Sequence, residues 1–183
     1  MDWFFQSWRY FQEYSDDIKK EFTAKKSIIR KNARELIRQV KDEHSVAVHI
    51  RKGDYPDEWL IHKTFYLDAY RILKNTYGEE LKVYIFCENI DYAEDVISDM
   101  ENVTVITGNY ELSDVEEFEV MRSCRNQIIS NSTFSWWAAY LNSYDKKIVV
   151  APVHTDHAHK QNKQTHNGKQ TLQAVFPPFS MVR

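Results

Sequence analysis

Two short stretches of the chain combine residue types able to grip an anion. The first runs His49-Ile50-Arg51-Lys52-Gly53-Asp54-Tyr55, directly after the β-branched run Val46-Ala47-Val48. Strand alternation puts His49 and Arg51 on one face, with Arg51 where the strand ends and Gly53 permitting a tight turn. A guanidinium fork at the carboxyl end of a strand suits a bidentate phosphate contact. The plainer account is an Arg51–Asp54 ion pair that only shapes the turn. The second stretch, Ser130-Asn131-Ser132-Thr133-Phe134-Ser135, opens the apolar run Trp136-Trp137-Ala138-Ala139-Tyr140-Leu141. Four hydroxyls and an amide before an apolar helix make side-chain donors, free backbone N–H groups and a positive helix end converge, which is a phosphate cradle needing no metal. Its plainer account is N-capping by Ser132 or Thr133, with the two tryptophans as core.

Elements that could bring the two stretches together are legible in the periodicity. Short β-branched runs predict strands at Ser45–Ile50, Leu81–Cys87, Val103–Thr107, Asn126–Ser130 and Lys147–Ala151. Between them, apolar stripes predict helices at Thr64–Tyr77, with Thr64 as N-cap and Gly78 as C-cap, and at Asp91–Met100, Asp114–Cys124 and Thr133–Leu141. Upstream, Asp16–Asp42 reads as one or two charged helices interrupted near Ala24–Ser27. Strands separated by helical crossovers of more than ~10 residues imply a parallel sheet covered on both faces. The expectation is therefore an α/β, Rossmann-like doubly wound layer over residues 45–151, with a helical and aromatic segment (1–44) before it and a polar, His-rich tail (152–183) after it. In such sheets chemistry sits in the loops after the strands.

Composition narrows the function. Of 183 residues, 43% are hydrophobic and 26 are aromatic (5 Trp, 11 Tyr, 10 Phe), which excludes a disordered chain. A formal net charge of -3 argues against a nucleic-acid partner, whose binding rests on a basic surface. Only two cysteines, Cys87 and Cys124, occur, too few for a disulfide framework or a zinc knuckle, so a reducing compartment is the simpler setting. No apolar run approaches the ~20 residues that span a bilayer. The four glycines, at 53, 78, 108 and 168, rule out both GxGxxG and a Walker A loop, hence a dinucleotide fingerprint or a P-loop NTPase.

Taken together, HIRKGDY followed by IISNSTFSWWAAYL resembles the α-1,2-fucosyltransferase family, glycosyltransferase family 11, whose HxRxGDY and SNSTFSWWAAYL-type segments fall in this order. The resemblance runs from about Trp3, where WFFQSWRYF is similar to the family's YFQSEKYF, to about Pro152. It implies transfer of L-fucose from GDP-fucose to a sugar hydroxyl with inversion (a galactoside 2-α-L-fucosyltransferase-like activity) and the C-terminal half of a two-lobed GT-B-like fold. Carried over residue by residue, it implies Arg51 on the pyrophosphate, His49 orienting Arg51 or touching the donor, and a second phosphate wall from Ser132, Thr133, Phe134 and Ser135, with Gly53, Ser130 and Asn131 also binding the GDP-sugar. The acidic residue that meets guanine corresponds to Glu117, with Glu116 as the alternative; both could equally lie on a solvated helix face. Cys87-Glu88-Asn89 stands where relatives tend to carry Ser-Asp-Asp, so that contact differs here. Metal-dependent glycosyltransferases typically use DxD, which the chain lacks. No metal and no cofactor beyond the GDP-fucose substrate are expected, and Arg51 with the helix N-terminus takes the cation's place. Asp54 is the first candidate for general base, followed by Asp57 and Glu58.

The resemblance also implies a Gly-rich GGLGNQ-type segment and an N-terminal lobe lining the acceptor cleft, neither of which the sequence contains. Six of the first eleven residues are aromatic: Trp3, Phe4, Phe5, Trp8, Tyr10 and Phe11. Such a patch fits a missing lobe, a second subunit or a homodimer, unless it folds back on its own lobe. The partners expected are a nucleotide sugar and a glycan acceptor, in the cytoplasm or at a membrane surface. The competing function is a GDP-sugar-binding lobe without turnover. A third reading, metal binding by His154, Asp156, His157, His159 and His166, competes with a solvated loop.

Overall fold

The computed structural model describes residues 8–152. Trp3, Phe4, Phe5 and the whole His-rich stretch from His154 to His166 lie outside the described residues, as does everything that was expected of them as partner or metal surfaces. From Trp8, a 3₁₀ helix Trp8–Tyr14 leads into α1 (Ser15–Glu21) and, after a break containing the 3₁₀ turn Lys26–Ile28, into α2 (Lys31–Asp42). The expected interruption near Ala24–Ser27 is there.

Next come β1 (His44–Ile50), α3 (Lys63–Tyr77), β2 (Leu81–Cys87), α4 (Ile90–Ile97) and β3 (Val103–Val105). The chain then runs through α5 (Asp114–Ser123), β4 (Asn126–Ile128), α6 (Thr133–Leu141) and β5 (Val149–Val150). β2 and α6 have the expected bounds. β3, β4 and β5 are shorter than their apolar runs, because a run rich in Val and Ile marks burial, whereas a strand ends where pairing ends. One cap differs from expectation: the His62 imidazole, not Thr64, accepts from the Thr64 backbone N–H, so α3 starts at Lys63. Gly78 closes that helix with φ +58, a conformation costly to residues bearing a Cβ.

All five strands are parallel, in the order β3-β2-β1-β4-β5. β1 pairs with β2 along its whole length, from His44 opposite Leu81 to Ile50 opposite Cys87. Its side chains alternate between two cores. Val46, Val48 and Ile50 join Phe65, Tyr66 and Leu73 of α3 and Ala93 and Val96 of α4. Ala47 faces the other way, with Tyr84 and Phe86 of β2, toward Leu36 and Val40 of α2, Val120 and Met121 of α5 and Ala138 of α6. Helices on both faces make this a doubly wound, Rossmann-like sheet. The winding reverses between β1 and β4, and the crevice beyond their carboxyl ends is where such sheets take ligands.

α2 and α5 are tied by a buried carboxylate. Glu116 is 1% exposed and accepts from the Arg30 backbone N–H (2.7 Å), Arg30 Nη2 (2.5 Å) and Ser113 N–H (3.0 Å), completing a capping box. The Arg30 guanidinium, followed by the Ser113 backbone N–H, holds this carboxyl far below the ordinary carboxylate range. A folded carboxylate depressed in this way stabilises the fold above the unfolded value of ~4.3 and loses that contribution as pH falls through and below it. Glu116→Gln is expected to lower the urea midpoint at pH 7 and to shrink the loss of stability on acidification from roughly pH 5 to pH 3. Equal acid sensitivity in both proteins would show that the tie carries no such linkage.

Candidate active site

The carboxyl ends of β1 and β4 are joined by a buried hydrogen bond: His49 Nδ1 lies 2.9 Å from Ser130 Oγ, with both residues about 95% or more buried. Two further bonds cross between the loops that follow. Asn131 Nδ2 donates to the Trp59 carbonyl (2.8 Å), and the Tyr55 hydroxyl donates to the Asn131 carbonyl (3.2 Å). The segments His49–Tyr55 and Ser130–Ser135 therefore meet, although some 80 residues separate them in sequence.

Arg51 stands at the end of β1 with its guanidinium 4.9 Å from the Tyr55 ring centroid. Nη1 donates to Glu88, at the end of β2, and Nη2 to Asp54 (2.7 Å). Nε is buried and has no partner among the described residues. The ion pair with Asp54 exists, but it occupies only one corner of the fork. Gly53 has φ +41, and a Cβ there would sit 3.1 Å from Arg51 Cζ, so this turn needs glycine both for its backbone and to leave room for the guanidinium.

Across from Arg51, α6 begins without a side-chain cap. α3, α4 and α5 each close their first turn through His62, Asn89 or Ser113, whereas Ser132 makes no capping bond. The plain capping role for Ser132 is thus not what this helix uses, and among the described residues its first-turn N–H groups lack a side-chain acceptor. Thr133 is exposed at that end. Ser135 is fully buried and its hydroxyl donates to the Ser132 carbonyl (3.3 Å), bracing the turn from behind.

Between these parts lies a cleft of about 290 Å³ lined by His49, Arg51, Phe86, Cys87, Glu88, Thr107, Asp114, Glu117 and Phe134. Its chemistry is polarised. Phe86 and Phe134 supply apolar wall, and Glu117, on the cleft-facing side of α5, accepts from the Thr107 hydroxyl (2.9 Å) while burial pushes its carboxyl up. Glu117 is the cleft acid of the pair, because Glu116 is consumed by Arg30. Burial, followed by the charge of Arg51, pushes His49 down to about 4 against the opposing pull of Glu88, so the imidazole is neutral at pH 7. Burial likewise pushes the Cys87 thiol up to about 11. Asp54 is largely exposed, as is Asp57, which pairs with Lys52. Among the described residues, no three His, Cys, Asp or Glu side chains cluster closely enough to hold a metal ion.

A family model described as glycosyl transferase family 11 matches residues 3–171. The chain belongs to that family. It is similar to the alpha-1,2-colitosyltransferase of Escherichia coli, with 33% identity over 160 residues, 81% of this chain and 53% of that protein. The O-antigen biosynthesis glycosyltransferase WbnK of Escherichia coli is 34% identical over 117 residues, 60% of this chain and 38% of that protein. Galactoside alpha-(1,2)-fucosyltransferase 1 of Aotus azarae is 27% identical over 158 residues, 76% of this chain and 42% of that protein. The chain thus spans about half the length of the curated relatives it matches.

Of the expected site residues, His49, Arg51, Glu117 and Phe134 line the cleft, and the geometry adds others. Thr107 was not among the expected site residues, and Glu88 was expected only within the altered contact Cys87-Glu88-Asn89; both follow strands and so occupy positions where ligands gather. Asp114 and Phe86 join the cleft only through packing. Among the described residues no helix is long and apolar enough to cross a membrane. NMR titration of the ring resonances is expected to show His49 gaining its proton near pH 4 rather than near the ordinary ~6.5. A midpoint at the ordinary value would show that the ring is hydrated, not sealed behind Ser130.

Proposed function

We propose that the chain is the nucleotide-sugar-binding half of an inverting, metal-independent α-1,2-fucosyltransferase that takes GDP-fucose as donor and a galactoside as acceptor. The observation that carries this reading is one cleft bounded by the Arg51 fork and by Phe134 in the first turn of α6, a helix whose Ser132 makes no capping bond, so that two donor groups are within reach of one diphosphate. The diphosphate replaces Glu88 and Asp54 as the partner of Arg51, so that no guanidinium charge is left unpaired at any stage. Guanine lies against the aromatic wall with Glu117 accepting from its N1–H and N2–H groups. The relatives' names, a colitosyl and a fucosyl transferase that both specify the 1,2 position, support sugar transfer to a ring hydroxyl.

In the reaction, an acceptor oxygen bonds to the anomeric carbon of fucose from the face opposite the diphosphate. The C–O bond to the β-phosphate breaks, and its electron pair leaves with GDP. Negative charge grows on the diphosphate oxygens held by Arg51 and the α6 N–H groups, so their attraction is stronger in the transition state than in the ground state. Neutral His49 adds no charge of its own; held by Ser130, it steadies the strand end that carries Arg51. The acceptor proton passes to Asp54, released from Arg51 by the incoming donor.

A second reading, nucleotide binding without turnover, fits a chain that spans only 53% of the length of the colitosyltransferase it resembles. GDP liberated from GDP-fucose only when a galactoside is added separates the first reading from the second. Arg51→Ala is expected to weaken GDP binding by about 10- to 150-fold in calorimetry, the scale of losing hydrogen bonds to a charged group. Unchanged affinity in a folded variant would remove Arg51 from the diphosphate site.

A further inference from the structure

At the opposite edge of the sheet, where the strands begin, lies a separate pocket of about 420 Å³. It opens where α2, α5 and α6 end, and Lys19, Lys41, Arg122, Arg125, Asn142 and Tyr144 line it, with no carboxylate among its walls. The seven residues of β1 place it about 20 Å from the Arg51 cleft. In a chain of formal net charge -3, four cations around one concavity run against the overall balance.

Helix ends alone do not account for them. Carbonyls at the end of α2 are served by Arg125, through Nε to Lys41 O (3.0 Å) and Nη2 to Asp42 O (3.4 Å), and Lys147 donates to the Asn142 carbonyl after α6. Arg122 gives Nε to Glu119 (2.9 Å), which leaves its terminal nitrogens without a carboxylate among the described residues. Lys41 has no ion pair there either, and Lys19 has only the distant, exposed Asp16 at 3.9 Å. The positive field registers on a neighbour: burial, and after it the charge of Lys19, pushes Lys147 down to about 8 against the pull of Asp145. Arg125 is held in place over the Tyr144 ring, 5.4 Å from its centroid, so one wall is rigid.

We propose that this pocket is a second anion site, independent of the donor cleft, that takes a phosphate or diphosphate group. Free phosphate compounds and lipid headgroups share that chemistry, and a site set away from the donor cleft can hold either while the cleft is in use. An anion there relieves the repulsion between Lys19 and Lys147.

The test uses inorganic pyrophosphate and the full chain, with folding of every variant checked by thermal unfolding. Titration is done on Arg51→Ala, which removes the donor cleft as a competing sink, and on Arg51→Ala carrying Lys19→Glu and Lys41→Glu as well. The expected result is pyrophosphate binding that survives Arg51→Ala, weakens with salt, and falls about tenfold or more when both lysines are reversed. Sedimentation with vesicles of phosphatidylglycerol in phosphatidylcholine, against phosphatidylcholine alone, assigns the source. Lysine-dependent binding to the anionic vesicles points to a headgroup; pyrophosphate binding without vesicle binding points to a soluble phosphate. Pyrophosphate affinity that vanishes with Arg51→Ala, or that ignores the two lysine reversals, overturns the proposal, as does absence of binding to both probes. None of these outcomes depends on whether the donor cleft holds GDP-fucose.

Discussion

The site depends on two loops being locked together at the one place where the sheet changes its winding direction. β1 and β4 are neighbours, their carboxyl ends point the same way, and three hydrogen bonds, from His49, Asn131 and Tyr55, cross from one loop to the other. Because the His49 and Asn131 side chains are buried, these bonds are made away from competing water, where leaving a partner unsatisfied is expensive. The consequence is that the Arg51 fork and the start of α6 are fixed relative to one another before any ligand arrives. Such preorganisation is what lets fixed donors favour a developing charge without first reorienting.

Charge balance then decides how the cleft behaves when it holds nothing. Arg51 is partnered by Glu88 and Asp54, His49 is kept neutral by burial, and Glu117 accepts a hydrogen bond from the Thr107 hydroxyl. An unpaired guanidinium in a partly buried cleft would be unfavourable, so the acids that surround it are the physical condition for its being there. They also set a threshold: an anion entering the cleft must compete with two carboxylates for Arg51. Glycine at position 53 completes this arrangement, since a side chain there would push against the same guanidinium.

The two edges of the sheet follow different electrostatic logic. At the carboxyl edge, one arginine sits among acids and a helix N-terminus. At the amino edge, three helices end, and the cations gathered there outnumber what their terminal carbonyls engage. The sheet keeps these environments about 20 Å apart, far enough that exposed charges at one edge are screened from the other at physiological salt.

Much of this was legible from residue order. The alternation of Val46, Val48 and Ile50 with Ala47 and His49, and helical stripes between β-branched runs, implied a parallel sheet with two covered faces. HIRKGDY and SNSTFS marked the two loops that meet at the carboxyl ends of β1 and β4. These are local patterns, and local sterics and periodicity suffice to write them. Strand bounds at β3, β4 and β5 were less legible, because pairing stops where a neighbour stops. The role of His62 as cap, the commitment of Glu116 to Arg30 rather than to the cleft, the pairing of Glu88 with Arg51 and the arrival of Thr107 beside Glu117 could not be read at all. Each depends on partners 2 to 86 residues away, or on a strand end whose neighbours only the sheet order names. Residue order by itself determined which side chains could bind an anion and which segments would be strands and helices. Tertiary structure alone decided which of those side chains share one cleft, since contact, burial and shifted protonation are properties of distance in space.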